Sequence, residues 1–133
     1  MKTACIRYLG DLRTECTHLA SGTTIVTDAP VDNHGKGQAF SPTDLVATSL
    51  ASCVITIIGI YCQSRNIAFN FAEATIEKQM SANPRKIAKI ILDLDLRGNN
   101  WDELTKKKVL AVAKACPVER TLKGNVALEI NIN

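Results

Sequence analysis

The amino-acid sequence predicts an α+β fold in which antiparallel sheets surround one long, buried central helix. Residues 41–65 begin with a helix start signal and contain no charge or proline from Leu45 to Gln63. Stretches of alternating apolar and polar residues, typical of half-buried strands, stand on both sides of this helix. A length of 133 residues, 46% of them hydrophobic and 22% charged, is ordinary for one globular domain. We therefore predict a single domain over residues 1–133.

The elements before the helix are three short strands and a loop. Ala4–Leu9 and Leu12–Leu19 are predicted strands that meet at a Gly-Asp turn, and Thr24–Thr27 is a third strand after a Ser-Gly turn. Residues 28–37 combine one proline and two glycines with polar side chains, so they are predicted to form a loop that leads into the helix.

The start of the central helix is specified by Ser41, Pro42 and Asp44. Ser41 suits the capping position, Pro42 the first helical position, and Asp44 can reach back to the cap. The apolar residues that follow point in every direction, which predicts a helix buried on all sides. They are Leu45, Val46, Leu50, Val54, Ile55, Ile57, Ile58 and Ile60.

The same stretch is close to the length of a membrane span. Five polar residues interrupt it, and no basic residue flanks its N-terminal side, so a core helix is favoured over a span. No signal peptide is visible after Met1. We therefore expect a cytoplasmic protein with no membrane association.

The elements after the helix are three strands and two helices. Ala68–Met80 and Ile90–Arg97 alternate apolar and polar residues, the second most regularly. Asn100 is the predicted cap of a helix from Trp101 to about Ala115. A short helix then begins at Cys116-Pro117, and Val126–Ile132 forms the last strand.

Composition and motifs exclude several functional classes. The net charge of +3 is small and scattered, and aromatic residues are scarce, so nucleic-acid binding is not expected. Lys106–Lys108 is interpreted as a solvated helix face. His18 and His34 have no metal-ligand spacing, and no phosphate loop or dinucleotide fingerprint is present. No metal or bound cofactor is therefore expected.

The five cysteines are odd in number and contain no CxxC pair. A disulfide framework or a structural zinc site is therefore not predicted, and a reducing compartment fits these cysteines best. Cys5, Cys16 and Cys62 are interpreted as structural, whereas Cys53 and Cys116 are the candidates for chemistry.

Cys53 and Cys116 differ in their surroundings. Cys53 lies about three turns inside its helix, beyond the reach of the helix dipole, and apolar burial disfavours a thiolate. A reactive Cys53 would need a cation from elsewhere, and otherwise it is a small core residue. Cys116 stands at the cap of a short helix, where free N–H groups favour a thiolate and Glu119 opposes it.

The segments SPTDLVATSLASC and CPVERTL together resemble the paired signature of the OsmC/Ohr family, the osmotically induced and organic hydroperoxide resistance proteins. The resemblance covers most of the chain. It implies an intertwined homodimer with two active sites at the subunit interface. It also implies that Cys53 is the peroxidatic cysteine and Cys116 the resolving cysteine.

The resemblance further implies an arginine from the N-terminal strands, best matched by Arg13, with Arg7 as the alternative. In the family a glutamate near the start of the central helix holds this arginine. Thr43 stands at that position here and Asp44 is the nearest carboxylate, so we expect a weaker or missing arginine clamp.

The implied activity is reduction of organic hydroperoxides to alcohols. Cys53 becomes a sulfenic acid, Cys116 condenses with it to a disulfide, and an external dithiol, lipoyl-bearing or thioredoxin-like, restores both thiols. Two alternatives remain at this point. One is a non-catalytic relative that binds an apolar small molecule, and the other is a purely structural dimeric protein.

Overall fold

The computed structural model describes residues 1–133 and confirms the α+β fold. Its strands and helices follow the predicted order along the chain. They are β1 (Ala4–Gly10), β2 (Arg13–His18), β3 (Thr24–Asp28), α1 (Pro42–Ser64), β4 (Glu73–Ser81), β5 (Lys86–Asp95), α2 (Glu103–Ala113), α3 (Pro117–Leu122) and β6 (Ala127–Ile132), with a single 3₁₀ turn at Val31–Asn33. The chain divides into two compact units, residues 1–46 and 47–133, which are described separately.

The first unit is built on a three-stranded antiparallel sheet with the order β1-β2-β3. Large apolar side chains of this sheet are exposed, among them Ile6, Tyr8 and Ile25. The fully buried residues of the unit are instead polar, namely Thr27, Asp28 and Ser41. This unit therefore has no buried apolar core of its own.

The loop after β3 turns tightly back on itself. Its N–H groups at Asn33 and Gly35 donate to the Pro30 carbonyl, and the N–H of Gly37 donates to the Ala29 carbonyl. A Cβ atom on Gly35 would lie 1.7 Å from that carbonyl oxygen of Ala29, so only glycine fits there.

The start of α1 has the predicted reciprocal capping arrangement. The Asp44 N–H donates to Ser41 Oγ at 3.0 Å, and the Ser41 N–H donates to Asp44 Oδ2 at 3.0 Å. These two bonds satisfy donors that a helix N-terminus otherwise leaves free.

The second unit contains a three-stranded sheet with the order β4-β5-β6. The β4 and β5 strands are antiparallel, but β6 runs parallel to β5. The prediction of purely antiparallel sheets was therefore wrong for β6. The reason is the long connection through α2 and α3, since parallel neighbours need a crossover of a dozen or more residues.

The long helix α1 is not buried on all sides within one chain, contrary to the prediction. Its buried residues form a single stripe at helical spacing: Ala47, Leu50, Ala51, Val54, Ile58 and Cys62. Val46 and Ile60 are exposed, the latter by 58%. By length and composition alone α1 could cross a membrane, a test that core helices of soluble proteins also pass.

The sheet supplies the other half of this apolar core. Ile90, Leu92, Leu94 and Leu96 are buried, as their alternation predicted. Strand β4 also alternates as predicted, but it begins at Glu73. Helix α2 begins after Asp102, whose side chain accepts the Thr105 N–H, so Asp102 and not Asn100 is its cap.

Residues just before β4 are held by a side chain instead of a strand partner. Asn99 Oδ1 accepts the N–H groups of Asn70 and Phe71, and its amide nitrogen donates to the carbonyls of Phe71 and Leu96. This explains why the predicted strand from Ala68 starts later.

Candidate functional site

Cys53 lies on α1, next to the buried stripe of that helix. Its side chain is half-buried and packs against the apolar core of the second unit. The cysteine thus has both apolar surroundings and partial access from outside the chain.

Cys116 lies at the start of α3, where the sequence predicted a helix cap. Its backbone is extended, with φ −68° and ψ 127°, and Pro117 follows at the first helical position. The thiol sulfur accepts the Glu119 N–H at 3.5 Å, and the residue is fully buried. A sulfur atom therefore occupies the capping place that serine or aspartate usually takes.

The structure brings Cys53 and Cys116 together. Cys53 packs against the apolar core that contains Cys116 and lies near enough to it to raise the pKa of the Cys116 thiol, and both cysteines are free thiols. No short sequence spacing links the two residues. The two cysteines come together because residues of α1, the second sheet and α3 pack into one apolar core.

The pKa of the Cys116 thiol is raised, although its capping position and Glu119 predicted only two opposing influences on it. Burial is the largest cause, and the hydrogen bond with Cys53 adds to it. The N–H groups of Glu119 and Val118 act in the opposite direction, as expected of a helix N-terminus, but do not outweigh burial. Cys116 is therefore a protonated thiol at neutral pH.

The remaining cysteines have separate environments. Cys62 is buried in the core, and this burial raises the pKa of its thiol. Cys5 is exposed on β1, and Cys16 lies 3.8 Å from the Thr14 hydroxyl on β2. None of these three forms a disulfide.

Arg13, the predicted arginine, begins β2 and lies directly opposite Asp28 on β3. Arg13 Nε is 3.8 Å from Asp28 Oδ2, and the Asp28 side chain is completely buried. Asp28 is a residue that sequence reasoning missed, because only the strand register places it beside Arg13. The alternative, Arg7, is exposed on β1 opposite Glu15.

Asp44, the predicted nearest carboxylate, has an oxygen engaged in the helix cap with Ser41. The expectation of a weak or missing clamp on Arg13 rested on Thr43 and Asp44 alone. It overlooked the carboxylate that Asp28 supplies from the neighbouring strand.

The second unit also has a cavity of about 300 Å³ at the ends of β5 and β6, beside α2. Its apolar walls include Leu96, Trp101 and Val109, and neither Cys53 nor Cys116 lines it. No group of three or more His, Cys, Asp or Glu side chains is arranged to hold a metal ion.

Comparison with known proteins agrees with the fold described above. The family model for OsmC-like protein matches residues 35–131. A hydroperoxide reductase of Mycoplasma pneumoniae is 26% identical over 113 residues, covering 82% of this chain and 79% of the relative.

Solved structures extend the likeness to the whole chain. A protein of Psychrobacter arcticus, described as an osmotic stress induced and detoxification response protein, is 42% identical, with a TM-score of 0.92 over 100% of this chain and 96% of that one. An organic hydroperoxide resistance protein OsmC of Legionella pneumophila shares the fold, with a TM-score of 0.75, 19% identity, and coverage of 100% and 98%. Since the family model matches well over half of the sequence, this chain belongs to the OsmC-like protein family.

Proposed function

We propose that this protein is a thiol-dependent peroxidase that reduces organic hydroperoxides to alcohols. The observation that carries the proposal is the pair of free thiols, Cys53 and Cys116, which share one apolar core and lie near enough for Cys53 to raise the pKa of Cys116. Two neighbouring thiols on one core are the arrangement that a peroxidatic and a resolving cysteine require. The hydroperoxide reductase named among the relatives supports the same chemistry.

In the first step the Cys53 thiolate attacks the outer oxygen of the hydroperoxide. A sulfur–oxygen bond forms, the oxygen–oxygen bond breaks, and the departing alkoxide takes a proton to leave as an alcohol. In the second step the Cys116 sulfur attacks the Cys53 sulfenic acid, which forms the disulfide and releases water. A dithiol reductant, lipoyl-bearing or thioredoxin-like, then restores both thiols by exchange.

Arg13 is proposed as the cation of this reaction, on the strength of the family resemblance. A guanidinium stabilises a thiolate and the alkoxide that develops as the peroxide bond breaks. Asp44 takes a supporting part in this proposal by capping the helix that carries Cys53.

We further propose that the protein acts as an intertwined homodimer in the cytoplasm. Exposed apolar side chains support this assembly in each unit separately, on the flank of α1 and on the first sheet, because large exposed apolar surfaces usually mark contact sites. A second copy of the chain is the occupant that the family resemblance implies.

The test treats fully reduced protein with a slight excess of cumene hydroperoxide and maps the disulfides by peptide mass. We expect a rapid, stoichiometric link between Cys53 and Cys116. Cys53→Ser should abolish it, and Cys62→Ala, a buried cysteine on the same helix, should leave it intact. If the thiols stay reduced, or link slowly at random with Cys5 or Cys16, the non-catalytic alternative replaces this proposal.

The apolar packing around Cys53 favours a bulky alkyl hydroperoxide over hydrogen peroxide. Stopped-flow rates for the two oxidants measure this preference directly. A faster reaction with hydrogen peroxide would show that the apolar surroundings do not select the substrate.

A further inference from the structure

The cavity beside α2 changes from an apolar interior to a charged rim. Leu96 and Val109 are buried and line its interior, and Trp101 lines it as a half-buried wall. Arg97 and Lys106 line the same cavity, but their side chains are 74% and 51% exposed. The enclosed part of the cavity is therefore apolar, and the part open to solvent is cationic.

The polar groups of the inner wall are already bonded. Trp101 Nε1 donates to the Ala68 carbonyl at 2.8 Å, and its ring centroid lies 5.9 Å from that of Phe69. Asn99, which also lines the cavity, uses both ends of its side-chain amide in bonds to the backbone. These contacts hold the wall in place without a ligand. A ligand rich in hydroxyl groups would find no partners there, whereas an apolar body fits.

The two cations at the rim can still bind an anion. Asp95 accepts N–H groups from Arg97 Nε and Nη2, each at 2.9 Å, which leaves three of the five guanidinium donors for another acceptor. Lys106 pairs with Glu103 at 3.3 Å on the exposed face of α2, a kind of pair that contributes little and exchanges readily. No carboxylate side chain lines the cavity itself.

The size of the cavity limits the ligand. Its volume of about 300 Å³ is at the lower end of the range for small-molecule sites, roughly 300–1,000 Å³. A long lipid chain or a peptide is too large for this space. A short alkyl chain or a single ring that ends in one anionic group matches both the size and the division between apolar interior and cationic rim.

We propose that this cavity is a second binding site, for a small amphipathic carboxylate. The apolar body of the ligand packs against Leu96, Trp101 and Val109, and its carboxylate is bound by Arg97 and Lys106 at the rim. All these residues belong to the second unit, and the two thiols of the proposed function lie outside the site. The inference therefore goes beyond that function and does not depend on it.

The probe is octanoate, with octan-1-ol and octylammonium as its uncharged and cationic counterparts. Trp101 is the single tryptophan and lines the cavity, so its fluorescence reports binding to the reduced whole chain without any peroxide. We expect octanoate to change the emission saturably at millimolar or lower concentration. It should bind about tenfold more tightly than octan-1-ol, because a charged hydrogen bond contributes at least that factor, and octylammonium should not bind.

Variants of the rim and the interior locate the ligand. Lys106→Gln and Arg97→Gln should each weaken octanoate binding by about three- to tenfold and leave octan-1-ol binding unchanged. Lys107→Gln is the matched control, since Lys107 is exposed on the same helix but does not line the cavity, and it should match the wild type. Val109→Phe fills the interior and should abolish binding of both octanoate and octan-1-ol.

The absence of a saturable change with octanoate would overturn the proposal. Equal affinities for octanoate and octan-1-ol would also overturn it, because the rim would then not select a carboxylate. Octanoate binding that is unchanged in both Lys106→Gln and Arg97→Gln would place the ligand elsewhere on the chain. If Val109→Phe does not fold, these two exposed charge variants decide the question. Inert thiols in the peroxide test would remove the proposed function and leave these binding results standing.

Discussion

Cys53 and Cys116 meet at the same apolar core although they belong to different helices, and Cys53 raises the pKa of the Cys116 thiol. The first thiol is half-buried on α1, and the second is completely buried at the cap of α3. In the proposed reaction the more exposed Cys53 thiol would meet the hydroperoxide, and the buried Cys116 thiol would form the disulfide. Cys116 is also protonated at neutral pH, which affects the second step.

The first prediction concerns the rate of disulfide formation. Because the pKa of Cys116 is raised by burial and by Cys53, few Cys116 thiolates exist at pH 7, and their number rises about tenfold per pH unit. Dimedone should therefore trap a larger fraction of the Cys53 sulfenic acid at pH 7 than at pH 9, before the disulfide forms. Disulfide formation should accelerate steadily from pH 7 to pH 9, measured by quenched-flow mass analysis. A rate that is flat over this range would contradict a protonated Cys116.

The second prediction concerns alkaline stability. The pKa values of Cys62 and Cys116 are raised above the ordinary value of 9.0, so the folded state holds these protons more tightly than the unfolded chain. This stabilisation is fully present below pH 9 and is lost as the pH rises through the folded-state pKa values. The free energy of unfolding of the reduced protein should fall above pH 9. Cys62→Ala should cost about 1–2 kcal/mol at pH 7 and weaken the alkaline loss, as urea titrations at several pH values would show. If the stability of Cys62→Ala falls as steeply above pH 9 as that of the wild type, groups other than Cys62 cause the alkaline loss.

The third prediction concerns Asn99, which is 8% exposed and makes four hydrogen bonds to the backbone before β4 and after β5. Asn99→Ala leaves buried backbone groups without partners and should lower the free energy of unfolding by roughly 2–4 kcal/mol. Asn100, the exposed neighbour, is the control, because Asn100→Ala should change the free energy of unfolding by no more than about 0.5 kcal/mol. Fluorescence of Trp101, the single tryptophan, follows unfolding in urea. Similar values for the two variants would show that the Asn99 network is unimportant.

The fourth prediction concerns the proposed homodimer. Ile60 is 58% exposed on α1, so a charge introduced there should weaken a contact with a second copy without disturbing the core of one chain. Ile60→Lys should shift the mass measured by light scattering from dimer toward monomer. Leu104→Lys is the matched control, because Leu104 on α2 is exposed by 62%. A wild-type protein that is monomeric at all concentrations would contradict the assembly.

Much of the fold could be predicted from local pattern. The Ser41 and Asp44 cap, the alternation of β5 and the start of α3 at Pro117 each depend on residues close together in sequence. Hydrogen bonding and packing within one element decide such features, and the sequence alone determined them. It also determined, through two motifs, that Cys53 and Cys116 are the residues to examine.

The tertiary structure decided the features that depend on contacts between distant parts of the chain, namely strand register, strand direction and burial. Strand register placed Asp28 beside Arg13, and the long connection through α2 and α3 made β6 parallel to β5. Burial outweighed the helix N–H groups at Cys116 and raised the pKa of its thiol. Register, direction and burial are set by contacts between elements distant in the sequence, so no local pattern contains them.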